Sequence, residues 1–335
     1  MYNKIYEKIK SFILNNYKFL IGLILIIFLF TYQTDYVVYK PGGIVKLSNR
    51  INIDDKYKSD GELSMSYVSM VKGTIPAILV SYIIPNWDII SKKDITVDNE
   101  SVSELLKLEK LYMQSSIDNA TILAYNKAGR DIKINSTVNN VVYITKKAKT
   151  DIEIYDQILE VENNKVNNLK EVKDIIKKHN VGDEIKILVK RGNKKVMTTS
   201  KVYKDKGYKL VGISSLNTYK YETKPKISVK TKRSESGSSG GLMLSLAIYN
   251  ALTDKDLTKG LNIVGTGTIE VDGTVGDIDG VKYKLLGAVK NKADIFMCPK
   301  NNYKEAMKVK KKNKLNIKIV SVKNFDDAIN YLNSL

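Results

Sequence analysis

Ser239 is the residue whose type and setting most directly suggest chemistry. It lies in the hexapeptide Ser-Gly-Ser-Ser-Gly-Gly at residues 236–241, immediately before an apolar run at residues 242–249. This order predicts a sharp turn that presents a hydroxyl at the start of a buried helix, where backbone N–H groups and the helix dipole can stabilise an oxyanion. The same composition is typical of a flexible linker. We favour the catalytic turn, because a linker would not run without a spacer into a core helix.

A serine nucleophile needs a general base, and here a lysine is the expected one. The single histidine of the chain, His179, is distant in sequence from Ser239 and lies in a polar segment. We interpret it as the C-terminal cap of a helix rather than as a catalytic base. Lys284 follows the glycine-rich residues 265–276 and adjoins an apolar helix face. Burial there would lower the pKa of its ammonium toward neutrality. Lys282 is expected on the opposite, solvated side of the same helix.

The composition argues against cofactor and metal chemistry. A single cysteine, Cys298, excludes an internal disulfide, and its apolar setting predicts a core residue. One histidine without a cysteine cluster also disfavours a zinc enzyme. Residues 277–280 (Asp-Ile-Asp-Gly) carry only a fragment of a calcium-loop spacing. We therefore expect no cofactor and no metal.

The net charge of +19 admits an anionic partner. The lysines are spread along the chain, and the densest run, at residues 308–314, predicts a solvated helix end. Aromatic residues of the kind that stack on single-stranded nucleic acid are absent from that run. We therefore expect no nucleic-acid partner. Attraction to an anionic membrane or cell wall stays open, and with it a third function class, a basic surface-binding protein.

An apolar segment near the N-terminus predicts a membrane anchor. Residues 19–30 carry no polar side chain, and the run extends to Tyr32, which is short beside the usual span of about 20 residues. No small-residue cleavage site follows it, so we favour an uncleaved anchor over a signal peptide. Lysines precede the segment and Asp35 follows it. The positive-inside rule then places the N-terminus in the cytoplasm and the rest of the chain outside.

The chain between the anchor and Ser239 contains a second recognisable pattern. Residues 36–95 contain strand-like pieces, including residues 75–80, and residues 101–128 predict a helix; we assign no chemistry to either. From residue 132 to 202, a strand, a strand-turn-strand, an amphipathic helix and a hairpin follow one another. This order resembles a PDZ domain, which binds extended peptides at a sheet edge. Residues 135–140 occupy the place of its usual glycine-rich carboxylate loop.

Three blocks around Ser239 and Lys284 look like the signature blocks of Lon-type Ser-Lys proteases, in the right order: residues 237–243, residues 265–269 with 272–276, and residues 280–284. The layout is similar to a bacterial membrane-anchored family with a PDZ domain before a Lon-like protease domain. No Gly-Lys-Ser/Thr ATPase motif occurs, which agrees with an ATP-independent branch.

The resemblance implies that Ser239 is the nucleophile and Lys284 the general base. It implies that Thr266 helps to hold the lysine and that Ser238 and Gly240 support the oxyanion turn. The family usually has proline at position 238 and alanine at position 240. It also has a glycine at position 279 and lacks an acid at position 277, whereas this chain has Asp279 and Asp277. Carboxylates near Lys284 would favour its charged form.

Together these observations predict an α+β protein in five parts: a cytoplasmic tail (1–18), a transmembrane anchor (19–32), a strand-and-helix region (33–128), a PDZ-like β-rich domain (129–205) and a Lon-type α/β protease domain (206–335). The expected function is an extracytoplasmic serine endopeptidase that cleaves exported peptides or exposed protein segments. The PDZ-like domain would present or gate these substrates. The alternative is a catalytically inactive, PDZ-bearing membrane adaptor. A homo-oligomer stays open.

Overall fold

The computed structural model describes residues 2–95 and 102–335. The helices of this part of the chain are α1 (Tyr2–Thr31), α2 (Ile75–Ile83), α3 (Lys92–Ile95), α4 (Val102–Lys127), α5 (Leu169–Ile176), α6 (Gly241–Leu252), α7 (Val281–Lys290), α8 (Lys300–Lys312) and α9 (Phe325–Asn333). The strands are β1 (Gln33–Lys46), β2 (Ile51–Ile53), β3 (Glu62–Thr74), β4 (Asp88–Ser91), β5 (Asp131–Ile144), β6 (Gln157–Val161), β7 (Asn164–Lys165), β8 (Glu184–Arg191), β9 (Lys194–Lys201), β10 (Tyr203–Asp205), β11 (Tyr208–Leu210), β12 (Ile213–Lys224), β13 (Ile227–Val229), β14 (Asn262–Gly265), β15 (Thr268–Ile269), β16 (Val275–Gly276), β17 (Ile295–Pro299) and β18 (Lys318–Val322).

Helix α1 is longer than the predicted anchor. The apolar residues 19–31 form only its second half, and the helix continues back to Tyr2. Its stretch Lys4–Thr31 is long and apolar enough to cross a membrane, and a signal sequence near the N-terminus would meet the same criterion. The predicted helix over residues 101–128 is found as α4, with residue 101 outside the described residues.

Helix α2 corrects a prediction, because residues 75–80 were expected to be strand-like. A short apolar run without clear periodicity does not distinguish a strand from a helix. The deciding residue is Pro76, which lies in the first turn of α2 after an extended Thr74. Proline is favoured there because its missing N–H would have no partner inside the helix, whereas a strand would lose a ladder hydrogen bond.

Strands from both ends of the chain form one sheet. Its order is β18-β17-β14-β3-β1-β4, and β3 pairs with β14 in parallel. The region 33–95 therefore contributes strands to the same sheet as the C-terminal part of the chain. The buried face of α6 packs with this sheet and with α4 in a core that includes Leu63, Ala124, Leu246 and Ile263.

A second sheet lies, in sequence, between the two parts of the first. Its order is β12-β5-β6-β8-β9, with β7 beside β6, and its core includes Val172 and Ile176 of α5. Residues 135–140, at the place of the expected carboxylate loop, lie inside β5 and pair with β12. His179 places its Nδ1 atom 3.1 Å from the carbonyl oxygen of Ile175, at the end of α5.

A buried ion pair ties the loop before β6 to β8. The carboxylate of Asp156, which is 1% exposed, accepts hydrogen bonds from Arg191 Nε at 2.9 Å and Nη2 at 2.7 Å. A second carboxylate, on Glu153, lies 2.7 Å from Arg191 Nη1 but is largely exposed. Removing one partner of a buried ion pair costs much more free energy than removing one partner of an exposed pair. We therefore expect Asp156 to contribute more to stability than Glu153.

We expect Asp156→Asn to lower the local opening free energy of β8 by about 2 kcal/mol, since charge-assisted hydrogen bonds of a buried acid are lost. Hydrogen exchange of the β8 amides in the full chain measures this change. The matched control is Glu153→Gln, which should change it by less than about 0.5 kcal/mol because the side chain is exposed. Equal effects of the two substitutions would contradict the prediction.

Candidate active site

The serine turn is held by hydrogen bonds to its carbonyl groups. The carbonyl oxygen of Ser239 accepts the Gly267 N–H at 2.7 Å and the Thr266 hydroxyl at 3.0 Å. The carbonyl oxygen of Ser238 accepts the Gly241 N–H at 3.2 Å and the Ser116 hydroxyl at 2.9 Å. None of the hydrogen bonds recorded for the described residues uses the N–H of Ser239. The turn is therefore fixed through its acceptors and keeps a donor at the start of α6 available.

Thr266 supports the serine and makes no recorded hydrogen bond to the lysine. It is fully buried at the end of β14, its N–H donates to the Met297 carbonyl oxygen at 3.0 Å, and its hydroxyl donates to Ser239. The resemblance implied that Thr266 helps to hold Lys284. In this structure its contacts position the serine turn against the sheet.

Gly240 leaves room for a side chain from β3. A Cβ atom at this position would lie 2.5 Å from Met65 Sδ, which is closer than real contacts allow. Lon-type proteases usually have alanine at this position. In this chain Met65 Sδ occupies the space that the alanine methyl group would take. The contact places Met65 directly beside the serine turn.

Helix α4 supplies contacts that the sequence analysis missed. The Glu109 carbonyl oxygen accepts the Gly237 N–H at 2.9 Å, and Ser116 donates to Ser238. One turn further, Asn119 Nδ2 donates to the Ile269 carbonyl oxygen at 3.0 Å. The only signal in the sequence was that polar side chains, including those of Ser116 and Asn119, share a helix with apolar core positions. That signal does not say which distant segment they contact.

Lys284 is a buried cation. Its side chain lies in α7 and is 4% exposed. Burial lowers its pKa to about 8, while the carboxylates of Asp279 and Glu109 act in the opposite direction. The structure records no hydrogen bond between Lys284 Nζ and Ser239 Oγ. Lys282 was expected to be solvated but is half-buried, and its Nζ lies 2.6 Å from Asp88 Oδ2. The periodicity of α7 could not predict this contact, because Asp88 belongs to a strand that is distant in sequence.

Four elements bring titratable groups together around Lys284. The pKa of Glu109 in α4 is raised by burial and by Asp279, and lowered by Lys284. Burial, Asp279 and Glu109 raise the pKa of Tyr39 in β1. Of the two expected acids, only Asp279 acts on Lys284, whereas Asp277 Oδ2 accepts a hydrogen bond from Asn301 at 3.1 Å. The second acid that acts on Lys284 is Glu109. Its carboxylate lies close to Gly237: Oε2 would be 3.0 Å from a Cβ atom added at that glycine.

Two cavities flank the serine turn. The first has a volume of about 740 Å³, reaches Ser239 and Gly240, and has apolar walls that include Met65, Met113, Ile117 and Leu244. An ion pair between Arg50 and Glu235 lies at its edge. The second, about 350 Å³, reaches Ser238 and is polar, with Ser215, Asn217 and Glu270 in its wall. Because Ser215 and Asn217 belong to β12, the second sheet contributes directly to the surroundings of the turn.

Among residues 2–95 and 102–335, no group of three or more histidine, cysteine, aspartate or glutamate side chains is arranged to hold a metal ion. Cys298 is fully buried in β17.

Comparison with known proteins identifies two domains. Residues 229–333 match the Lon protease (S16) C-terminal proteolytic domain, and residues 130–202 match a PDZ domain. Lon protease 2 of Borreliella burgdorferi is 32% identical over 97 residues, which are 29% of this chain and 12% of that protein. Lon protease of Clostridium acetobutylicum is 33% identical over 93 residues, covering 28% of this chain and 12% of that protein. The chain thus matches about an eighth of the length of these relatives.

A solved PDZ-domain structure is also similar to part of this chain. The PDZ domain of the SdrC-like protein from Listeria monocytogenes is 25% identical, covers 25% of this chain and 92% of that one, and has a TM-score of 0.23. The two family matches show that the chain carries a PDZ domain followed by a Lon-type proteolytic domain in an α+β fold, and they confirm the predicted resemblance at this level.

We expect Glu109→Gln to lower the pKa of Lys284 below its value of about 8, since a carboxylate that stabilises the ammonium is lost. Competitive acetylation of the full chain at a series of pH values, read for each lysine by mass spectrometry, measures this pKa without relying on activity. Asp277→Asn is the control, because Asp277 is exposed and is not among the groups that act on Lys284. A lysine titration that does not move in Glu109→Gln would contradict the prediction.

Proposed function

We propose that this chain is a membrane-anchored serine endopeptidase in which Ser239 is the nucleophile and Lys284 the general base. The observation that carries the proposal is the burial of Lys284 within a Lon-type proteolytic domain, which brings its pKa to about 8. A lysine with that pKa is partly neutral at physiological pH and is able to accept a proton. The serine turn at the start of α6 supplies the matching nucleophile.

In the proposed acylation step, Ser239 Oγ attacks the carbonyl carbon of a peptide bond as Lys284 Nζ takes the hydroxyl proton. The carbonyl oxygen becomes an oxyanion, which the N–H groups of Ser239 and Gly240 can stabilise, and the positive end of α6 lies beside it. Collapse of the intermediate breaks the C–N bond, and the departing amine receives the proton from Lys284. The acyl group stays on Ser239 as an ester.

Deacylation repeats the same roles with water. Lys284 accepts a proton from the water as its oxygen attacks the ester carbon, and the second oxyanion occupies the same donors. When the ester C–O bond breaks, the proton returns to Ser239 Oγ and the carboxylic acid product leaves. The proposed cycle uses no metal and no ATP.

The PDZ domain is proposed to present or gate the peptide. PDZ domains bind extended segments at a sheet edge. In this chain, the wall of the second cavity combines Ser215 and Asn217 of β12 with Ser238 of the serine turn. A peptide held near β12 would therefore already lie next to the nucleophile. Exported peptides and exposed protein segments are the proposed substrates, because such segments can enter without being unfolded.

We further propose that α1 anchors the chain, with its N-terminus in the cytoplasm and the catalytic part outside. The length and apolarity of Lys4–Thr31 support a span, and the lysines before residue 19 support this orientation.

The test is cleavage of a peptide library by the full chain in detergent, without ATP, read by mass spectrometry. We expect Ser239→Ala and Lys284→Ala each to lose roughly a thousand-fold or more of the cleavage rate, since the residues of a nucleophile–base unit act together. In the parent, kcat/KM should rise with pH through about 8, because Lys284 must lose its proton to act as base.

The matched controls are Ser228→Ala and Lys290→Ala, both at exposed positions near the same elements, which should cleave like the parent. Equal cleavage by the parent and both active-site variants would refute the assigned dyad. Absence of cleavage by a folded parent would favour the alternative of an inactive PDZ-bearing adaptor. In that case the carboxylates of Asp279 and Glu109 would contribute to the inactivity by keeping Lys284 charged.

A further inference from the structure

Helix α2 and the residue after it expose an unusually apolar surface. The side chains of Leu79, Tyr82 and Ile83 are 60%, 78% and 80% exposed, and Val80 and Ile84 are 36% and 40% exposed. We call these five residues the α2 patch. Isolated exposed apolar side chains are ordinary, whereas a contiguous group on one short segment marks a surface that contacts something else.

The α2 patch lies at the end of α1. Only Tyr32 separates α1 from β1, and Gln33 at the start of β1 pairs with Thr74, the residue directly before α2. The Thr34 hydroxyl also donates to the Gly73 carbonyl oxygen at 2.6 Å. Helices α1 and α2 contact each other. If α1 crosses a membrane, α2 must therefore lie where the chain leaves the bilayer.

Aromatic residues lie near both ends of α2. Tyr32 and Tyr36 are about half exposed, Tyr82 belongs to the α2 patch, and Trp87 follows it closely. The ammonium of Lys40 lies 4.6 Å from the centre of the Trp87 ring. Tyrosine and tryptophan are enriched at the level of lipid headgroups, because each has an apolar ring and a polar atom.

The basic end of α8 lies beside the same surface. Asn86, in the turn after α2, donates from its Nδ2 atom to Asn313 Oδ1 at 3.4 Å, and Lys312 is within electrostatic reach of Asp88. The four exposed lysines at this end of α8 are Lys308, Lys311, Lys312 and Lys314. They belong to the densest basic run of the sequence, at residues 308–314. The proposed peptidase chemistry assigns no role to this run.

We propose that the α2 patch inserts into the bilayer surface beside the anchor and that the basic end of α8 contacts anionic lipid headgroups. This proposal rests on the proposed anchoring by α1 and not on the peptidase chemistry. An apolar segment flanked by lysines is the composition of interfacial helices on anionic membranes. A second copy of the chain is the less suitable occupant, because it would bring its own four lysines against these.

The consequence is a defined orientation of the catalytic part. A single anchoring helix followed by one connecting residue would fix the height of the domain above the bilayer but leave its tilt free. A second contact through α2 and α8 would fix the tilt as well. The serine turn would then face substrates at a set distance from the membrane surface.

Trp87 allows a direct test, because it is the only tryptophan of the chain. The full chain is reconstituted into vesicles of phosphatidylcholine and phosphatidylglycerol whose lipids carry bromine either high on the acyl chains or near their ends. We expect the shallow bromines to quench Trp87 fluorescence more than the deep ones. Quenching should fall to the level of unbrominated vesicles in the double variant Leu79→Glu with Ile83→Glu, and should be reduced when Lys311, Lys312 and Lys314 are replaced by glutamine.

Matched controls are Met197→Glu with Tyr208→Glu, and Lys194, Lys195 and Lys201 replaced by glutamine, all exposed residues of the PDZ part or the hairpin after it. These variants should be quenched like the parent. Vesicle flotation separates the two proposals: a chain that floats without quenching of Trp87 overturns the α2 contact alone, and a chain that does not float overturns the anchor as well. Self-association that the Leu79→Glu and Ile83→Glu substitutions abolish, without quenching in the parent, would assign the patch to a second copy.

Discussion

The parallel pairing of β3 with β14 is the interaction on which the arrangement of the site depends. It joins two stretches of chain that are separated in sequence by the whole PDZ domain. At the end of this pairing Gly265 lies opposite Met65, and the Ser66 hydroxyl donates to the Gly265 carbonyl oxygen at 3.1 Å. The next residue is Thr266, which holds the Ser239 carbonyl group. A shift in this register would move Thr266 away from the turn.

The electrostatics around Lys284 show a balance of opposing effects. Burial alone disfavours the ammonium and would drive its pKa far down. The carboxylates of Asp279 and Glu109 partly restore the charged form, and the result is a pKa of about 8. A base with a pKa near the working pH combines a usable neutral fraction with adequate proton affinity. The two acids that look unfavourable in the sequence therefore oppose the effect of burial on the pKa of Lys284.

The parts that the sequence predicted well depend on local pattern. The glycine-rich turn before an apolar helix, the helix that carries Lys284 and each successive PDZ element are encoded by nearby residues, where periodicity and turn chemistry are informative. The parts that it missed depend on contacts between distant segments. Nothing near Glu109 or Ser116 indicates that α4 will touch the serine turn, and nothing near Lys282 indicates Asp88. Helix α2 was misassigned because almost all of its side chains are apolar, so its sequence shows neither the strand nor the helix period.

Adjacent residues of α4 connect the second sheet to the serine turn. The Ser115 hydroxyl donates to the Asn217 carbonyl oxygen of β12 at 2.6 Å, and Asp118 Oδ2 accepts the Tyr219 N–H at 2.8 Å. Between them, Ser116 holds the Ser238 carbonyl oxygen. One turn of a helix thus contacts an edge strand of the second sheet and the backbone beside Ser239. Because interiors are closely packed, a displacement of β12 must be taken up by α4 or at these contacts. Because β12 pairs with β5 of the PDZ domain, α4 physically connects that domain to the serine turn.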